Sequence, residues 1–247
     1  MLWNASAFNG FTLKASDGEI GSVSDILFDD TNWAVRWLVV ETGSWFSSRK
    51  VILPVSVLGH ADRAARVFPV NLTMQLVKDS PDIDFDAPVS RQIEERSLTY
   101  YGWEPFIGGA FFPMSNAIAV PLLPHEHIDA PLDTKLSRDH GDRHLRSANE
   151  VNGYHVHATD GEIGHISDFL VDDDGWTIRY ISVDNHNWWP GKISLILPQS
   201  IGGINWSERM MFLKVNRQLV KDAPPYEAKL TVDGAFDAKF LEYYYPN

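Results

Sequence analysis

"ASDGEIGSVSDILFDD" spans Ala15 to Asp30, and "ATDGEIGHISDFLVDD" spans Ala158 to Asp173, 143 positions later. The likeness runs outward on both sides. "NGFTLKASDGEIG" from Asn9 pairs with "NGYHVHATDGEIG" from Asn152, "WAVRWLVVE" from Trp33 with "WTIRYISVD" from Trp176, and "QLVKDSP" from Gln75 with "QLVKDAP" from Gln218. "VILPVSVLG" from Val51 matches "LILPQSIGG" from Leu195 at an offset of 144, the extra residue falling between Trp189 and Leu195. Solenoid repeats are about 20–50 residues long. The longer period here is a duplicated domain, each copy near the smallest size that folds alone.

Each copy reads as β-rich. Asp17-Gly18 and Asp160-Gly161 are expected to be hairpin turns of type I′, which need positive φ. Phe11 to Ala15 is the incoming strand and Ile20 to Phe28 the outgoing one. Ile20, Val23, Ile26 and Phe28 break strict alternation, and Gly21 marks a bulge or a close backbone approach. Asp29-Asp30-Thr31-Asn32 and Asp172-Asp173-Asp174-Gly175 make the next turn. Val35 to Glu41 is nearly all apolar, as in a strand buried on both faces. Val51 to Leu53 is another strand, stopped by Pro54. Val67 to Leu76 supplies one more or two.

A helix is expected after each barrel. Val232, Phe236, Phe240, Tyr243 and Tyr244 share one helical face, and Val89, Ile93, Tyr100 and Tyr101 occupy the equivalent positions. Asp233 and Ser90 are the expected N-caps. Such a helix covers the apolar outer surface that a small barrel leaves.

The run "SDGEIG", an Asp, three hydrophobic residues and a second Asp, then "WAVRWLVVETGSWFSSRKVILP", resembles the PRC-barrel domain. That family includes the cytoplasmic part of the photosynthetic reaction-centre H subunit and the C-terminal domain of a ribosome-maturation factor. The resemblance covers residues 9–82 and 152–225. It implies a mainly β fold of two tandem small, strongly bent barrels, each followed by a short amphipathic helix. It brings no shared catalytic residues. The expected organisation is a first barrel with its helix over 1–101, a Pro/Gly/His-rich linker over 102–148, and a second barrel with its helix over 149–247.

The chain has 247 residues, 44% hydrophobic, with nine Trp, eight Tyr and thirteen Phe, so a core rich in aromatics is expected. The net charge of −12 opposes direct nucleic-acid binding, which needs a basic footprint. With no cysteine, disulfides, thiolate metal sites and Cys nucleophiles are excluded. "MLWNASAFNG" does not read as a signal peptide, and no stretch approaches about 18 apolar residues. A cytoplasmic protein with no membrane insertion is the expectation.

Residues that could carry chemistry are scattered. Asp172-Asp173-Asp174-Gly175 fails the EF-hand spacing, because Leu170 and Ile181 would fall at ligand positions. His125 and His127 flank Glu126, His140 and His144 are four apart, and His155 and His157 face one side of a strand. These are weak metal candidates, since a site needs three or four convergent ligands and sequence shows only pairs. No metal or cofactor is expected. Asp25 with Arg36, and Asp168 with Arg179, are expected to form a structural charge pair repeated in each copy. No phosphate loop and no nucleophile elbow is present.

The expected binding residues are aromatic: Trp45-Phe46 and Trp188-Trp189 occupy equivalent loops, and Trp is a common interface anchor. The expected function is therefore a non-enzymatic adaptor binding a protein of unknown identity. Either two chains pair, or the two barrels pack as a pseudo-dimer. The alternatives are a ligand- or metal-binding protein using the linker histidines and, by resemblance, a ribosome-associated or RNA-processing factor or a photosynthetic electron-transfer accessory.

Overall fold

The computed structural model describes residues 2–43, 49–80, 144–185, 192–226 and 234–244. The chain divides into a unit of residues 1–83 with 144–247 and a unit of residues 84–143, and every described residue belongs to the first. The two copies therefore form one compact unit.

The first copy contributes β2 (Thr12–Lys14), β3 (Glu19–Asp29), β4 (Val35–Thr42), β5 (Lys50–Pro54) and β6 (Val67–Pro69). The second contributes β8 (His155–Ala158), β9 (Gly161–Asp172), β10 (Thr177–Asp184), β11 (Ile193–Ile196), β12 (Ile201–Asn205) and β13 (Met210–Leu213). One sheet runs β5-β4-β3-β2-β6 and the other β11-β10-β9-β8-β13-β12, the same order in both copies with β12 added at the edge of the second. The contacts β2–β6 and β8–β13 are parallel, and the remaining pairings are antiparallel.

Broken alternation in β3 has a local cause. Val23 opposes Val40 and Asp25 opposes Val39, so Ser24 is an extra residue; further on, Leu27 opposes Trp37 and Phe28 opposes Val35, so Arg36 is extra on the other strand. The second copy repeats both bulges, at Ser167 and Arg179. Bulges bend a strand and raise its twist. Gly21 plays a different part. A Cβ there would lie 2.1 Å from the Glu41 carbonyl oxygen, and one at Gly164 would lie 2.0 Å from that of Asp184. Both are close backbone approaches that only glycine permits.

The Asp-Gly turns join the expected strands, but not as type I′ turns. Asp17, Gly18 and Asp160 do not have positive φ; Gly161 does. Asp17 instead accepts the Met74 amide (2.8 Å) and Asp160 the Arg217 amide (2.7 Å). Gly18 packs beneath Met74, whose flexible Sδ would lie 2.3 Å from a Cβ there and would have to shift. The amides so held open two helices, Met74–Lys78 and Arg217–Asp222, where a strand running to Leu76 was expected. Thr73 and Asn216 cap them through the Leu76 and Leu219 amides, and Val77 and Val220 anchor them in the core. Side-chain caps outweigh the β propensity of a short apolar run.

The linker boundary also shifts. Residues 145–147, assigned by sequence to the linker, form β7 (Leu145–Ser147), which joins the first copy's sheet beside β3. The matching segment at the other end, β1 (Leu2–Asn4), joins the second copy's sheet beside β9. The two copies thus exchange strands.

After the second barrel, the helix Gly234–Tyr244 packs Phe240 against Leu170, Tyr180, Leu195, Leu197 and Tyr226. Phe240 meets Tyr180 edge-on at 5.0 Å, and Asp237 accepts Arg179 (3.1 Å) and the Tyr180 hydroxyl. Burial raises the Tyr180 and Tyr244 phenols well above their ordinary value, Asp237 adding to the effect at Tyr180. The helix expected after the first barrel lies outside the described residues.

Candidate functional site

The junction between the copies is built from equivalent residues used reciprocally. The Val35 amide donates to the Trp176 carbonyl (2.6 Å) and the Ile178 amide donates to the Trp33 carbonyl (2.8 Å). Trp33 and Trp176 have φ of 62° and 46°, left-handed conformations that bulky residues adopt only where surrounding structure enforces them. Trp176 packs on Phe8 and Phe68 of the first copy, and Phe28 meets Phe169 at 5.4 Å.

Asp25 and Asp168 lock the exchanged segments. Asp168 accepts the Ser6 amide (3.1 Å) and hydroxyl; Asp25 accepts the Asn149 amide (3.1 Å) and the Ser147 hydroxyl. Each aspartate thus holds the segment that enters from the other copy. Burial pushes the Asp25 carboxyl up, against the downward pull of the bonds from Ser147, Asn149 and Ile26. The expected pairing with arginine takes another form. Arg36 lies 3.5 Å from Asp29, and Arg179 reaches Asp237. Both arginines sit on bulges three positions along the strand from Val39 and Ser182, the residues that oppose Asp25 and Asp168.

Asp30 engages the linker end. Its two carboxylate oxygens meet His144 Nδ1 and Arg146 Nε, each at 2.8 Å. His144, a weak metal candidate by sequence, is here a partner of Asp30. At the equivalent place Asp173 accepts Trp3 Nε1 (2.8 Å).

Two equal strand orders, two equal pairs of bulges and paired Asp-Gly turns describe one domain made twice. Residues 10–72 match the PRC-barrel domain family. The first copy is a PRC-barrel domain. The second PRC-like barrel repeats its strand order and bulges. An uncharacterized protein of Deinococcus radiodurans is 34% identical over 83 residues, which is 32% of this chain and 30% of that one. The match thus spans less than a third of the relative's length.

The two barrels differ in sequence across one face. In the second, His155 stands opposite His165 and His157 opposite Glu162 across β8 and β9. On the other side of β8, His155 neighbours Met210 and His157 neighbours Phe212. Glu162 lies 2.8 Å from His155 Nδ1, and the His157 and Phe212 rings are 5.8 Å apart. Phe212 is 41% exposed, the one large hydrophobic residue so exposed among the described residues. In the first barrel the same positions hold Thr12, Ser22, Lys14, Glu19, Val67 and Pro69. Sequence singled out His155 and His157 as a pair; His165 and Glu162 were missed. Counting back across the Asp160-Gly161 turn was the signal that could have found them.

The remaining candidates, Trp45, Phe46, Trp188, Trp189, His125, His127 and His140, lie outside the described residues. Among the described residues, Asp172, Asp173 and Asp174 bring three carboxylates within 4.8 Å of one another. Asp172 accepts the Asp174 amide (3.2 Å) within the turn, and Asp173 is bonded to Trp3. This is acidic turn chemistry. No helix among the described residues is long and apolar enough to cross a membrane.

Proposed function

We propose that this PRC-barrel protein is a non-enzymatic docking module that binds another protein through the outer face of its second barrel. The observation that carries the reading is Phe212, which stands exposed beside Met210 where the first barrel has Pro69. A duplicated scaffold acts as its own control. Side chains that serve the fold recur in both copies, as Asp25 and Asp168, Asp17 and Asp160, and Gly21 and Gly164 do. A face that differs between copies answers to something else, and exposed aromatics anchor protein contacts. The carboxylates able to do acid–base work at the junction are engaged in holding the exchanged strands, which supports a binding role over a catalytic one.

The test is affinity capture from native lysate at low and moderate salt, comparing wild type with Phe212→Ser. A stoichiometric partner retained by wild type and lost by the variant is the expected result. A partner captured equally by both, or none by either, overturns this assignment of the face.

A further inference from the structure

The histidines of that face stand in two rows of residues that cross four strands. The first is Asp184, His165, His155 and Met210, on β10, β9, β8 and β13; the second is Glu162, His157 and Phe212, on β9, β8 and β13. Directly opposed residues place their Cβ atoms about 4.5–5.5 Å apart. Residues two apart on a strand lie about 7 Å apart on the same face. His155, His157 and His165 are therefore a triangle of imidazoles on one sheet surface, two from one strand and one from its neighbour.

From this juxtaposition we infer that His155, His157 and His165 bind a divalent transition ion of the zinc type, with Glu162 orienting His155. Three points carry it. Imidazole is the donor that such ions favour, and three protein nitrogens with an open fourth position is an established coordination pattern. Glu162 holds His155 Nδ1 at 2.8 Å, which leaves Nε2 as the free donor; a ligating histidine commonly gives its other nitrogen to a carboxylate. The three imidazoles belong to the second barrel alone, with Thr12, Lys14 and Ser22 at the same places in the first, so the barrel does not need them.

In the structure the three rings stand apart; their donor atoms do not fall within 4.8 Å of one another. His155 has 60% of its side-chain surface exposed, and exposed side chains change rotamer in picoseconds to nanoseconds. Rotation about χ1 and χ2 is the movement that closes the site. Zn–N bonds of about 2.0–2.1 Å require the three nitrogens to converge. The inference stands apart from the docking proposal, because Phe212 supplies no ligand atom.

The test is calorimetric titration of the full-length, untagged protein with zinc, and with cobalt followed by visible absorption. The expected result is one equivalent of tight binding with an intense tetrahedral cobalt band. Both are lost in His155→Ala/His157→Ala/His165→Ala with circular dichroism unchanged. Glu162→Gln weakens binding about 10–100-fold, as loss of an orienting carboxylate does. Single variants His157→Gln and His165→Gln, each removing one donor, serve if the triple variant does not fold. Absence of tight binding in wild type overturns the inference. So does an isotherm that these substitutions leave unchanged, which would place the ion at other histidines or at Asp172–Asp174.

Discussion

Arg63 lies 4.0 Å over the ring of Trp3, and 143 positions later the same contact recurs with its partners exchanged: Arg146 lies 3.8 Å over the ring of Trp206. The site keeps a cation on an indole while each position has changed type. The exchange is tolerated because both residue types also satisfy the turn aspartate beneath, Trp3 through Nε1 to Asp173 and Arg146 through Nε to Asp30.

This contact predicts a coupling. Trp3→Arg alone sets two cations face to face, and Arg63→Trp alone crowds two indoles. The double variant restores the pair in the arrangement of the second copy. Urea unfolding of the four proteins should give a favourable coupling of about 0.5–1 kcal/mol or more, the usual size of a cation–π contact. Additive effects would contradict the pairing.

The exchanged segments depend on two aspartates. Asp168→Ala removes the acceptor of the Ser6 amide, and Asp25→Ala that of the Asn149 amide. Each should cost about 1–2 kcal/mol, as lost caps do. Hydrogen exchange should rise first in the segment released, residues 2–8 for Asp168→Ala and 145–151 for Asp25→Ala. Uniform loss of protection would contradict the latch.

Asp25 also gives a pH signature. Burial raises its carboxyl above the ordinary 3.8, so over that range the folded chain binds more protons than the unfolded chain. Its contribution is fully present below that value and is lost as pH rises through the folded value. The difference in unfolding free energy between wild type and Asp25→Asn should therefore move against wild type over that rise and be flat above it.

Close approach makes a sharp contrast among glycines. Gly164→Ala places a methyl 2.0 Å from the Asp184 carbonyl oxygen, whereas Gly203→Ala meets nothing within 4 Å. The first should cost about 3 kcal/mol or more, the upper range for overpacking, and the second within about 0.5 kcal/mol, as for surface changes. Thermal melts of the two variants read the difference directly.

The C-terminal helix should respond to alkali. The phenols of Tyr180 and Tyr244 are raised, so they keep their protons above pH 10 while unfolded tyrosines lose theirs. The folded state then holds more protons, and stability falls as pH rises beyond 10. Tyr180→Phe/Tyr244→Phe should flatten that fall. Phe240→Ala, which empties the centre of the same contact, should cost about 3–5 kcal/mol.

Much of this molecule was legible in its residues. "DGEIG" twice, at one offset, determined that a β domain was made twice, and the apolar run from Val35 announced a strand buried on both faces. Local signals were enough because strand length, turn position and burial are properties of short stretches. The helices opened by Met74 and Arg217 were less legible: beside the local caps Thr73 and Asn216, their first amides are held by Asp17 and Asp160, 57 residues away.

Only the tertiary structure decided the exchange of β1 and β7 and the placing of His165 beside His155 and His157. Both depend on which residues oppose each other across strands, and in β8–β9 the extra residue Ile163 resets that register by one. Pairing energy accrues between segments far apart in the chain, so no window of sequence contains it.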